Sequence, residues 1–159
     1  MATGSVGPAP ATVTSEDLWA GTELDIYRSN LSSVFREIRR ILGPYDLLVS
    51  DFKALHHAAD GPIRPTSLAT KLDVTPAAAT QLVDRLEQRG LLRRFPDPGD
   101  RRATVVRLTS DGAQTYDRVA REVRAMLVEI TSAMSPDGLE ALRKGSEELR
   151  RILAVRAAR

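Results

Sequence analysis

Arg101 and Arg102 follow directly on Pro96-Asp97-Pro98-Gly99-Asp100, a run dense in turn-forming residues. Guanidinium groups just past a tight turn suit a hairpin tip that enters a narrow minor groove, where the negative potential of DNA is concentrated. Upstream, Ala77, Thr80, Gln81, Asp84 and Gln88 recur at the spacing of one outward helix face, with Thr75 and Arg85 at its edges. Gln81 can pair bidentately with adenine, and Ala77 or Thr80 can touch a thymine methyl. The helix start also directs N–H groups at phosphate. Ala77, Ala78 and Ala79 supply no hydrogen bonds, and no cation on this helix precedes Arg85, so DNA shape must carry part of any discrimination. A polar solvent face and a plain solvated loop are the competing readings of the two features.

The charge distribution points the same way as these residues. The chain has 23 basic and 21 acidic side chains, a net charge of only +2. Residues 1–60 are net −3, residues 61–112 net +3 and residues 113–159 net +2, and seven of the middle segment's cations are arginines between Arg85 and Arg107. A clustered basic segment matters more to nucleic-acid binding than the total does. Arg93, Arg94 and Arg107 read as phosphate contacts or as groups that brace the strands.

The elements that must position these side chains follow from periodicity. Residues 1–14 are small, rich in Pro and Gly and without charged side chains, and read as a disordered tail. From Ser15 a helix is expected to 42, with Leu24, Tyr27, Leu31, Phe35, Ile38 and Leu42 in register until Gly43-Pro44 stops it. At ~1.5 Å per residue it would run about 42 Å, more than so small a core needs. Ser50 is expected to cap a short helix to 59. Leu68 and Leu72 mark the next helix, and Asp73-Val74 a connecting turn. Thr75 and Pro76 then open a helix as N-cap and first residue, with Ala79, Leu82, Val83 and Leu86 inward, and Gly90 closes it. Two short helices joined by a tight turn make a helix-turn-helix. The period then falls to 2: Leu91–Phe95 and Thr104–Leu108 read as strands of a hairpin. Long helices follow over 110–134, capped by Thr109, and over 136–156, opened by Ser135-Pro136.

VTPAAATQLVDRLEQRGLLRR followed by DRRATVVRLTSDG resembles the recognition helix and wing signature of the MarR family. The wing motif falls on Asp100, Arg102, Val106, Leu108, Thr109 and Gly112, and the resemblance spans roughly 15–157. It implies a mainly α fold, a winged helix-turn-helix over 46–112 with long dimerisation helices over 15–45 and 113–157. It implies a transcriptional regulator that binds a pseudo-palindromic double-stranded DNA operator as a homodimer and acts as a ligand-responsive repressor. It assigns the minor-groove role to Arg102, with Asp100 bracing the tip. An effector pocket between the dimer helices and the DNA-binding lobe would draw on Tyr27, Tyr45, His56 and His57. Surface or hydrogen-bonded histidines remain the alternative there.

The flanking helices have their own logic. Leu18, Trp19 and Leu24, with Leu139, Leu142, Leu149 and Ile152, exceed what one small winged helix can cover, so a second copy or intramolecular packing must bury them. Other classes fare worse. No nucleophile elbow, phosphate loop, dinucleotide fingerprint or metal-ligand spacing argues for an enzyme or a cofactor. The chain has no Cys and its two His are adjacent, which argues against thiol redox sensing and against a metal centre. Neither a secretory signal nor an apolar run of ~18–20 residues is present, so a cytoplasmic protein without membrane contact is expected. A winged helix that contacts only proteins, or an effector-free architectural DNA binder, are the remaining readings.

Overall fold

The computed structural model describes residues 14–19 and 22–157; the side chains of Asp17, Leu18, Glu23, Arg101 and Ala157 lie outside the description. The expected tail, apart from Thr14, and the Leu18 contact therefore fall outside it as well. The chain divides into two compact units, Met1–Glu37 and Ile38–Arg159.

In the first unit the single helix expected from 15 is two. Helix α1 covers Ser15–Leu18, and α2 begins at Thr22 and runs to Leu42 in the second unit. The amide of Trp19 donates to Glu16 O at 3.2 Å, an i→i−3 closure that tightens the turn and ends α1. The indole packs edge-on against Tyr27 at 5.1 Å. Leu24, Ile26, Tyr27, Leu31 and Phe35 are all exposed on α2.

The second unit holds α3 (Val49–Ala59), α4 (Pro65–Leu72), α5 (Pro76–Gln88), β1 (Leu92–Asp97), β2 (Asp100–Leu108), α6 (Ser110–Ser132) and α7 (Pro136–Ala157). Its core gathers Leu42, Leu55, Leu68, Val83, Leu86, Leu92, Val106 and Val119, all fully buried. At roughly 1.5–3 kcal/mol for each large side chain removed from water, this cluster outweighs any surface contact. Helix α3 does not start on Ser50 as expected. Leu48 is the N-cap residue, and its N–H donates to Asp51 Oδ2 at 2.9 Å. A carboxylate three residues into the helix accepts the N–H of the N-cap residue, a different capping bond from the one the Ser50 hydroxyl was expected to make.

The antiparallel pair β1–β2 aligns Leu92 with Leu108 and Arg94 with Val106, and its register shifts between Pro96 and Asp97. Both strands run further than alternation suggested, so Pro98-Gly99 alone forms the tip. Ile63 adds a single antiparallel bridge to Val106, with N–H···O distances of 3.1 and 2.8 Å. One residue between two prolines has no periodicity to reveal it.

Strand β2 passes into α6 through the Leu-Thr-x-x-Gly motif, and the packing explains both motif residues. Thr109 Oγ1 accepts from Gly112 N at 2.9 Å and donates to Gly90 O at 2.5 Å, fastening the start of α6 to the end of the preceding turn. Gly90 itself sits at φ +71°, where a side chain would be strained. A Cβ on Gly112 would lie 1.9 Å from Leu91 O, a backbone atom that cannot move aside alone. On α7, Gly145 has open space around it. Gly112→Ala should therefore destabilise by about 2–3 kcal/mol through overpacking. Gly145→Ala should stabilise by about 0.5–1 kcal/mol through helix propensity. Urea unfolding of the two variants checks the contrast, and equal effects would contradict the packing.

Candidate nucleic-acid interface

Helices α4 and α5 are joined by Asp73, whose left-handed backbone (φ 54°) lets its N–H and that of Val74 close on α4 carbonyls. Thr75 then caps α5, its Oγ1 accepting from Ala78 N at 3.2 Å, with Pro76 in the first turn. Pro76 has no N–H and Ala78 spends its own on the cap, so fewer donors remain for a phosphate than a helix start usually offers. Ala79, Leu82, Val83 and Leu86 are buried, which turns Thr75, Ala77, Thr80 and Gln81 outward, all exposed. The Thr80 hydroxyl donates to Pro76 O at 2.9 Å, so its donor is spent within the helix.

The arginine run separates into two groups. Arg85, on the edge of this face, pairs through Nη2 with Asp51 Oδ1, while Asp51 is only 1% exposed. Arg89 donates to Asp46 O at 2.5 Å and Tyr45 O at 2.7 Å, tying the end of α5 to the segment before α3. Arg94 on β1 pairs with Asp84 at 2.7 Å and with Glu87, whose Oε1 also accepts the Arg94 amide at 3.0 Å. Burial works against the Arg94 charge, but the hydrogen bonds it donates to Asp84 and Glu87 outweigh that and raise its pKa above the ordinary value. Arg94 is thus the link between strand and helix, and it neutralises two acids on the helix.

The remaining arginines stay on the wing. Arg93 and Arg107 flank the Phe95 ring at 5.7 and 5.3 Å. Arg102 is exposed beside the tip, and its amide donates to Asp100 Oδ1 at 3.0 Å. The Arg101 side chain lies outside the described residues. Asp97 holds the turn: Oδ1 accepts Gly99 N at 2.8 Å and Oδ2 accepts Arg64 Nε at 2.6 Å. The Gly99 amide first, and Arg64 next, keep the Asp97 carboxyl below its usual range. Arg64 just precedes α4, so the wing base is also linked to the helix-turn-helix. Neither the Arg64–Asp97 nor the Arg89 contacts were foreseen, because each joins residues more than thirty positions apart.

The residues proposed for an effector are described unit by unit. Tyr27 lies in the first unit against Trp19. His56 and His57 lie in the second, where His56 Nδ1 is 2.8 Å from Tyr116 Oη and Tyr116 stacks on Phe52 at 5.8 Å. Burial first, then Lys71 and His56, lowers the His57 pKa below its ordinary value. Tyr45 donates to Glu122 Oε1 at 2.5 Å, and that hydrogen bond raises the phenol's pKa. An open cavity of about 480 Å³ lies against Gly43, Leu47, Leu48 and the Asp51–Arg85 pair. Among the described residues no helix is long and apolar enough to cross a membrane.

The chain's relatives fit this geometry. The model of the MarR family matches residues 55–104, from the end of α3 through the wing. The multiple antibiotic resistance protein MarR of Salmonella typhimurium is 33% identical over 114 residues, which cover 69% of this chain and 79% of the relative. A single-residue mutant of MarR from E. coli, solved in complex with operator DNA, is 25% identical with a TM-score of 0.68, covering 86% of this chain and 98% of that one. A MarR family protein from Bacillus stearothermophilus has a TM-score of 0.74 at 21% identity, a likeness of fold alone, over 82% of this chain and 92% of that one.

The Asp51–Arg85 pair separates support from surface. Arg85→Ala leaves a buried carboxylate without its cation. The expected loss of stability is about 2–3 kcal/mol, below the usual cost of breaking a wholly buried pair because Arg85 is partly in water. Gln81→Ala should change stability by less than about 0.5 kcal/mol. Denaturant unfolding of both variants reads the difference, and a neutral Arg85→Ala would show that the pair does not hold α5.

Proposed function

The chain belongs to the MarR family of winged helix-turn-helix transcriptional regulators, and from that premise we propose how it reads DNA. Its relatives are regulators of transcription and not enzymes. Helix α5 lies in the major groove, where Gln81 pairs with a base edge, Ala77 and Thr80 meet thymine methyls and Thr75 stands at the phosphate edge. The wing enters the adjacent minor groove with Arg102, assisted by Arg101, and Asp100 fixes the tip. Arg85 and Arg94 serve mainly as braces. The observation that carries this reading is the exposure of Arg102 on the wing and of Thr75, Ala77, Thr80 and Gln81 on α5, while Arg85, Arg89 and Arg94 are engaged within the protein.

The regulator acts in the cytoplasm as a homodimer on a pseudo-palindromic operator, and it represses until an effector binds. Residues 15–45 and 113–157 supply the dimer contact, and 46–112 the DNA-binding domain. Support comes from exposed apolar residues on helices at both ends of the chain: Leu24, Ile26, Leu31 and Phe35 on α2, and Leu139, Leu142, Leu149 and Ile152 on α7. Burying such surface against a second copy is strongly favourable, and two-fold symmetry matches a two-half-site operator. Tyr27, His56 and His57 remain the candidates for effector contact.

Two substitutions test the division of labour. Arg102→Ala should weaken binding to every operator variant, most where the flanking tract is A·T-rich. Losing two phosphate-type contacts per dimer should reduce the slope of log K against log salt by about 1.8. Gln81→Ala should cost roughly 1–3 kcal/mol per half-site at one preferred base pair and leave the slope unchanged. Titrations at three salt concentrations check both, and an unchanged affinity and slope in Arg102→Ala would contradict the wing's role. Sedimentation in the same buffer should show a dimer; a species of only 17.4 kDa at micromolar concentration would refute the assembly.

A further inference from the structure

We propose that His56, His57 and Asp60 form a binding site for one divalent transition-metal ion at the C-terminal end of α3. Each of the three residues offers a ligand atom, and these atoms lie within 4.8 Å of one another. Two imidazoles and one carboxylate with open positions suit Zn²⁺, Ni²⁺ or Cu²⁺ and not Mg²⁺ or Ca²⁺, which prefer oxygen. Tetrahedral Zn²⁺ at ~2.0–2.1 Å from nitrogen needs ligand atoms about 3.3 Å apart. The approach must come from rotation of the His57 imidazole and the Asp60 carboxylate about their side-chain bonds, since Tyr116 holds the His56 ring.

The surroundings resemble those of a metal ligand more than those of a loose surface histidine. His56 Nδ1 is held by Tyr116 Oη at 2.8 Å, leaving Nε2 to the ion, and Phe52 stacks on Tyr116 to fix that partner. A ligating imidazole usually spends its second nitrogen in this way, which sets the tautomer and the ring orientation. Asp60 follows the last turn of α3, where the helix carbonyls already favour a cation. Lys53 and Lys71 lie near enough to His57 to oppose an incoming charge, and Asp60 counters them. Adjacent histidines lack the spacing of familiar zinc motifs, which is why the sequence argued against a metal. The third ligand stands three residues beyond His57, on the turn that ends the helix. An ion here would tie α3 to the Asp60–Arg64 segment, which leads through the Ile63 bridge into α4.

The chain makes the test clean, since it has no other histidine and no cysteine. Calorimetric titration of the full chain with Zn²⁺ near pH 7 should show one saturable site per chain. Both imidazole rings should shift together in histidine-ring NMR spectra. His57→Ala and Asp60→Asn should each weaken the affinity at least about tenfold, by analogy with the loss that even outer-shell changes cause. The absence of saturable heat, movement of only one ring, or wild-type affinity in either variant would overturn the site. DNA takes no part in these measurements, so their outcome is independent of the operator-binding reading.

Discussion

A single buried carboxylate ties together the first and last helices of the helix-turn-helix region. Asp51 is almost wholly inside, where an unpaired charge would cost several kcal/mol. Its two oxygens answer two distant needs. One takes the Leu48 N–H and starts α3; the other takes the guanidinium of Arg85 on α5, thirty-four residues later. The recognition helix is therefore placed by apolar burial and oriented by charge. Apolar packing through Ala79, Leu82, Val83 and Leu86 is strong but tolerates rotation about the helix axis. The pairing of Arg85 with a fixed carboxylate does not, because its hydrogen bonds are directional.

Two further contacts extend that constraint. Arg89 holds the C-terminal end of α5 to the backbone before α3, and Arg94 holds β1 to Asp84 and Glu87. The helix and the wing are in this way braced to common partners, with Arg64–Asp97 closing the frame at the wing base. Four of the nine cations of residues 61–112, Arg64, Arg85, Arg89 and Arg94, are spent on this architecture. Small residues and Gln81 stand outward on α5, while Arg93, Arg102 and Arg107 stay exposed on the wing.

What could be read from the sequence was whatever a local rule controls. The Thr75 and Thr109 caps, the Gly90 terminus, the inward stripe of α5 and the turn at the wing each follow from a few adjacent residues, and each is present in the fold. The resemblance also made sense of Gly112, whose reason is a backbone contact with Leu91 that no spacing rule contains. Local rules failed where tertiary partners decide. Ser50 carries a capping hydroxyl, yet α3 starts two residues earlier, where Leu48 N–H meets the Asp51 carboxylate that also pairs with Arg85. Arg85 appeared as a DNA-facing residue, and Arg94 as a brace without a partner, because a basic run shows charge but not what it pairs with. The break after α1 goes unseen when one helix is run from the Ser15 start into an apolar register that begins only at Leu24.

Hydrogen exchange in the intact protein tests the central claim, that Asp51 holds α5 and the wing as one unit. Asp51→Asn keeps the volume and removes the charge. In that variant the amides of Leu82–Leu86 on α5 and of Val105 and Val106 on β2 should lose protection together, by the same factor, while those in the middle of α7 stay unchanged. Loss confined to α3, or unchanged protection in α5, would show that the helix is held by apolar packing alone and would contradict the account.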